Sequence, residues 1–201
     1  MADSSYRDWD RVYKEYPLEA LPWELGQPRQ TLVKLVESGR VKPCRALDVC
    51  CGAGTNPVYL AQKGFDVTAL DISSHALGHA RRKTRLARVQ IRFVLASFVS
   101  LPFTDGRFEF VFDMGCFHHV TVKDRKSFIW GISRVLKSRN GLYLLVCFSD
   151  KNGPAWNHFS KEQLVDYFSH EFVFKSVEHF DSVEADGYRR FFYAVLMQKR
   201  H

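Results

Sequence analysis

Two carboxylates, Asp48 and Asp71, each sit at the end of an apolar run, and a glycine-rich turn lies between them. An acid in such a place needs a partner, because an unpaired charge at an apolar strand end is costly. The first run ends in Leu47-Asp-Val-Cys-Cys-Gly-Ala-Gly-Thr-Asn56. Gly52 and Gly54 let the backbone turn tightly and approach a ligand without Cβ interference. Asp71, 17 residues past Gly54, is placed to accept both hydroxyls of a ribose. Ala96-Ser97-Phe98 adds a polar side chain and a ring suited to an adenine. Phe112-Asp113-Met-Gly-Cys-Phe-His-His119 gathers an acid, a thioether and two imidazoles at a fourth strand end. His118 and His119 are the candidate catalytic residues, as base or as substrate clamp.

The elements that must carry these residues alternate between apolar strands and helical patterns, which predicts parallel strands covered by helices. Strands are expected over 45–50, 65–70, 90–95, 108–112 and 142–148, with helices over 29–38, 56–63, 74–87, 124–137 and 160–168. The last helix carries the capping-box pattern Ser160-x-x-Gln163. Two β-rich runs, 172–179 and 189–197, have no helix between them and can pair antiparallel. The predicted fold is therefore α/β and doubly wound, with a mostly parallel seven-stranded sheet and an antiparallel C-terminal edge. In such sheets ligands bind beyond the carboxyl ends of the strands, where the residues above fall. The proline-containing pieces 17–28 and 150–159 lie outside the core elements and are candidate lids.

The chain has 201 residues, enough for one domain over 1–201 with 1–28 as an N-terminal lid segment. No apolar run approaches the roughly 20 residues of a membrane span. The acid-containing start is unlike a secretory or transit peptide, so a cytoplasmic protein is the expectation. Five cysteines show no metal-binding spacing, and no metal site is expected. A bond between the neighbours Cys50 and Cys51 would be strained, so all are read as reduced thiols in a reducing compartment. The net charge is +7, and its densest basic stretch, His79–Arg88, reads as the solvated face of a helix. A nucleic-acid partner is disfavoured, since no zinc finger, RNA-binding aromatic signature or basic zipper accompanies it.

A dinucleotide would also suit a glycine turn and an acid. However, the stretch reads G-x-G-x-x-P, without the third glycine of that fingerprint, and Asp48 before the turn favours a cationic amino-acid moiety. Asp48-x-Cys50-x-Gly52-x-Gly54, Asp71 and the strand order together resemble class I S-adenosylmethionine-dependent methyltransferases. Cys50 stands at the family's first glycine, implying slightly different backbone geometry, and Ser97 stands where an acid near adenine is usual. Pro22-Trp23-x-x-Gly26-x-Pro28, Cys50–Asn56, Phe112–His119 and Cys147-Phe-Ser-Asp150 look like the thiopurine/tellurite-resistance-type branch, which methylates small soft nucleophiles.

The resemblance implies S-adenosyl-L-methionine as cofactor and Trp23, Asp48, Cys50, Cys51, Gly52, Gly54, Asn56, Asp71, Ile72, Ser97, Phe98, Asp113 and Met114 as its contacts. In that reading Asp48 serves the methionine ammonium, Asp71 the ribose and Ile72 the adenine. Asp113, Met114 and Trp23 enclose the sulfonium region. The implied function is methyl transfer to a small acceptor, first a thiol or other soft nucleophile. Two alternatives stay open. One is an O- or N-methyltransferase with a histidine base, and the other a non-enzymatic cofactor-binding protein that engages a partner or nucleic acid.

Overall fold

The computed structural model describes residues 6–154 and 157–200. The first five residues of the expected N-terminal lid, and residues 155–156 of the expected second one, lie outside the described residues. Helix α1 (Trp9–Glu15) starts the described chain, followed by α2 (Gln30–Glu37), β1 (Arg45–Val49) and α3 (Thr55–Gln62). Then come β2 (Asp66–Asp71), α4 (Ser74–Ala87), β3 (Arg92–Leu95), β4 (Phe110–Met114), α5 (Arg125–Val135) and β5 (Leu142–Phe148). Helix α6 (Lys161–Phe168) and the long hairpin β6 (Phe172–Val183) and β7 (Arg189–Lys199) complete the order.

The seven strands lie in the order β3-β2-β1-β4-β5-β7-β6. The first five pair in parallel, while β7 joins β5 and β6 antiparallel, as the composition of the tail predicts. Strand β5 is apolar throughout because both faces are covered. Tyr143, Leu145 and Cys147 pack with Phe128, Ile132, Leu164 and Phe168 of α5 and α6. Leu144 and Val146 face the opposite core with Leu32, Leu35 and Leu60 of α2 and α3. The register is fixed this way, since a one-residue slip would exchange the two faces.

Three expectations shift. Strand β4 runs two residues later than 108–112, because parallel pairing with β1 begins at Ala46 opposite Phe110, and Phe108 makes only an isolated bridge to Leu136. Strand β6 extends to Val183, since its polar outer half still finds a full ladder on β7. Helix α1 was not foreseen, although Trp9, Val12 and Tyr13 share one helical face and Asp8 caps it through Arg11 N–H. The capping box of α6 forms as the sequence predicts. On α4, Ala76, Leu77, Ala80 and Thr84 are buried while Arg81, Arg82 and Arg85 are exposed, so its basic residues form an outer face.

Candidate active site

A cavity of about 450 Å³ opens at the carboxyl ends of β1, β2 and β4. That volume suits a small-molecule site. One wall is the turn after β1. Cys50 there adopts φ 58° and Gly52 φ 54°, left-handed values that favour glycine. Cys50, where a changed backbone geometry is the expectation, is a cysteine held in a glycine-like conformation. A Cβ on Gly52 would come within 2.6 Å of the Tyr13 hydroxyl, so this glycine is required where α1 closes on the turn.

Asp71 ends β2 at the same wall, with its oxygens accepting from Gly52 N–H at 2.8 Å and Ser73 N–H at 2.9 Å. Burial pushes its carboxyl pKa up, and the amides of Ser73 and Gly52 oppose that shift. Trp23, Cys51, Asn56, Ile72, Phe98, Met114, His118 and His119 also line the cavity.

Four expected contacts do not lie on the wall. Gly54 is left-handed, and a Cβ there would meet Ala80 Cβ at 2.6 Å, so it serves α3–α4 packing rather than close approach of a ligand. Ser97 is exposed and its hydroxyl accepts from Val99 N–H. Asp48 is buried beneath the turn, and its Oδ2 has no hydrogen-bond partner. Burial, with the charges of Asp113 and Asp71, pushes its pKa well above the ordinary range.

Asp113 points into the fold, accepting from Cys116 N–H at 2.7 Å, Phe117 N–H at 3.2 Å and Tyr143 O–H at 3.0 Å. It therefore shapes the turn that presents the histidines. Burial raises its carboxyl from 3.8 to about 7, against the opposing pull of these donors. Between those values the native state keeps a proton that the unfolded chain has released. Stability is then lost as pH rises through that window and levels off above it. Urea unfolding at a series of pH values should show this slope, and Asp113→Asn should flatten it. An unchanged slope would assign the effect to other buried acids.

The N-terminal segment supplies residues that sequence reasoning missed. Trp9, Tyr13, Glu24 and Arg29 line the cavity, with Glu184 and Phe192 from the β6–β7 hairpin. Trp23 Nε1–H donates to the Tyr13 hydroxyl at 2.8 Å, and Glu24 accepts from Ala53 N–H and Lys83. Arg29 makes a bidentate pair with Glu184 at 2.7 and 2.6 Å, and both are 5% exposed. Ala185 N–H donates to the Pro22 carbonyl, so the hairpin tip clasps this segment. Only the amphipathic spacing of α1 signalled any of this. The Arg29–Glu184 pair spans 155 residues and leaves no local trace.

The reading of all five cysteines as free thiols is corrected at one pair. Cys50 and Cys116 are joined, while Cys44, Cys51 and Cys147 are free. The pairing Val49 opposite Asp113 brings the ends of β1 and β4 together, leaving the two Cα atoms 5.7 Å apart. That separation suits a disulfide. Thiol titration of denatured, unreduced protein should therefore find three thiols and, after reduction, five. Five before reduction would refute the pair.

Among the described residues no cluster of three or more metal-ligating side chains occurs, and no helix is long and apolar enough to cross a membrane.

Comparison with known proteins decides the family. Residues 46–139 match the methyltransferase-domain family. An uncharacterized methyltransferase of Schizosaccharomyces pombe is 31% identical over 127 residues, covering 63% of this chain and 86% of that protein. The chain belongs to the methyltransferases. A probable thiol methyltransferase of Arabidopsis thaliana is 35% identical over 83 residues, covering 41% of this chain and 35% of that one. This methyltransferase chain spans about half the length, 46%, of another curated relative it matches. A solved structure described as converting a disulfide bond into a thioacetal group during echinomycin biosynthesis shares the fold, with a TM-score of 0.85 and 20% identity. It covers 96% of this chain and is itself covered to 92%.

Proposed function

We propose that this methyltransferase acts on a small soft nucleophile, first of all a thiol. The observation that carries the reading is one cavity holding two kinds of wall. The Gly52 turn and Asp71 form one, and the imidazoles of His118 and His119 with Phe148 and Phe192 form the other. The thiol methyltransferase likeness over 83 residues supports the acceptor class.

The residues present fit S-adenosylmethionine. Asp71 has acceptor capacity left for ribose hydroxyls beside its two amide bonds. Ile72 and Phe98 offer apolar surface for adenine, and Cys50, Cys51, Gly52 and Asn56 border the amino-acid end. The orphaned Asp48 Oδ2 is the buried acceptor that a cationic group nearby would favour in its ionised form. Met114 and Trp23 flank the methyl position in this reading. When bound, the cofactor supplies an electrophilic methyl on a sulfonium. The chain's own part is to align the nucleophile at roughly 3–3.5 Å and exclude water. The described part of segment 1–28, residues 6–28, belongs to this single domain as its lid. The proposed cytosolic location would leave the Cys50–Cys116 pair in a reducing compartment.

One observation favours a second reading. Burial, together with Arg7, pushes the His119 imidazole pKa down to about 4, although the residue's surface is exposed to solvent. A neutral imidazole could take a proton from a hydroxyl or amine acceptor. A methyl-transfer assay against matched aryl thiols, phenols and anilines separates the two. The proposal expects turnover of thiols well above the others, and preference for phenols or anilines would overturn it.

A further inference from the structure

His118 stands in the short 3-10 turn after β4, 3% exposed, with its ring stacked on Phe148 at 4.1 Å. Its Nδ1 receives the Phe148 backbone N–H at 3.3 Å, and its carbonyl accepts from the Asn157 amide. A backbone N–H can only donate, so Nδ1 must offer a lone pair. Burial, with His119 and Arg29 nearby, drives the imidazole pKa well below its ordinary value. An uncharged ring with a lone pair at Nδ1 carries its hydrogen at Nε2. Gly115 packs against this edge, where a Cβ would lie 3.6 Å from Nε2. His118 lines the cavity, and no described residue accepts from Nε2.

Around this donor Arg7 adds positive charge and the His119 ring is uncharged. The acids are engaged, Glu184 by Arg29, Glu24 by Lys83 and Asp71 by two backbone amides. The His119 ring lies 4.5 Å away, and Arg29 is held by Glu184. Arg7 stands over the Trp9 ring at 5.0 Å on the cavity lining. Glu24 is engaged by Lys83, and Asp113 turns inward to Tyr143. From β5, Phe148 brings no charge.

We propose that His118 is a fixed hydrogen-bond donor for an anionic acceptor atom, so that the acceptor enters as a thiolate and His118 removes no proton. This rests on the soft-nucleophile reading above and narrows it to the ionised form. The proton leaves to solvent before binding. A bond then forms from the thiolate sulfur to the methyl carbon as the methyl–sulfonium bond breaks, its electron pair passing to the sulfonium sulfur. No step asks His118 for a base.

The probe is 4-nitrobenzenethiolate, a coloured anion whose methylation discharges the colour. His118→Leu should raise its KM by about tenfold or more with kcat changed a few-fold at most, since the lost bond is already made to the bound anion. His118→Gln, which keeps a donor near the Nε2 position, should recover most of that loss. A base would have no proton to take from this anion, so both variants would then keep the parent KM and kcat, and that result overturns the proposal.

A second measurement does not depend on turnover. In protein labelled with 15N at histidine and saturated with S-adenosylhomocysteine, His118 should show a protonated Nε2 and a bare Nδ1 from about pH 6 to 9. Adding 4-nitrobenzenethiolate should shift Nε2, while its S-methyl product should not. A protonated Nδ1, or equal shifts from both compounds, refutes the donor role. Absence of any cofactor-dependent colour loss would instead sink the thiol reading, leaving the nitrogen shifts to judge His118 by themselves.

Discussion

Asp71→Ala lowers the affinity for S-adenosylhomocysteine by about tenfold to a hundredfold, as calorimetry on the folded variant should show. The side chain offers charge-assisted hydrogen bonds, each worth about 1.5–3 kcal/mol to a buried partner. It also holds the Gly52 amide at 2.8 Å, so removing it loosens the turn that shares this wall of the proposed cofactor site. Asp71→Asn separates the two contributions, because its carbonyl oxygen can keep one amide bond while the charge is gone. Asn should therefore fall between the parent and Ala. Binding unchanged in both variants would remove Asp71 from the site.

The largest effect on stability is expected at a residue pair far apart in sequence. Arg29→Met leaves Glu184 buried without its bidentate partner, and breaking a buried pair from one side costs about 3–5 kcal/mol. For a chain of this size the melting temperature should fall by about 10 °C. The Arg29 guanidinium also donates to the Trp23 carbonyl, so the segment over the cavity loses its clasp. Cofactor should then protect the variant less against heat than it protects the parent. The double variant Arg29→Met/Glu184→Leu should recover most of the stability, because no charge stays buried. A single variant within about 1 kcal/mol of the parent would show that the pair is not the clasp.

Local pattern was enough to read the sheet and much of the cavity. An acid ending an apolar strand, a left-handed glycine turn and a β-rich tail are each written in a few neighbouring residues. Periodicity of 2 and 3.6 places such residues at the carboxyl ends of strands, and a twisted parallel sheet gathers those ends at one rim. Asp71, Gly52, Ile72, Phe98, Met114, Trp23 and the two histidines accordingly line the same cavity.

What residue types near the rim do was less legible, because type and position do not fix side-chain direction. Asp113 has the same local signature as Asp71, an acid closing an apolar strand. Yet it turns inward to two amides and Tyr143, whereas Asp71 faces the cavity. Gly54 shares the turn with Gly52, but its missing Cβ makes room for Ala80 of α4.

By itself the sequence determined the α/β class, the strand order, the antiparallel edge and the rim where chemistry is placed, since short-range patterning dictates each. Tertiary structure alone decided the Cys50–Cys116 pair, the Arg29–Glu184 clasp, the Phe148 amide on His118 Nδ1 and the closing of α1 over the turn. Each depends on groups brought together from distant parts of the chain. Their energy comes from burial and pairing, which have no counterpart in local spacing.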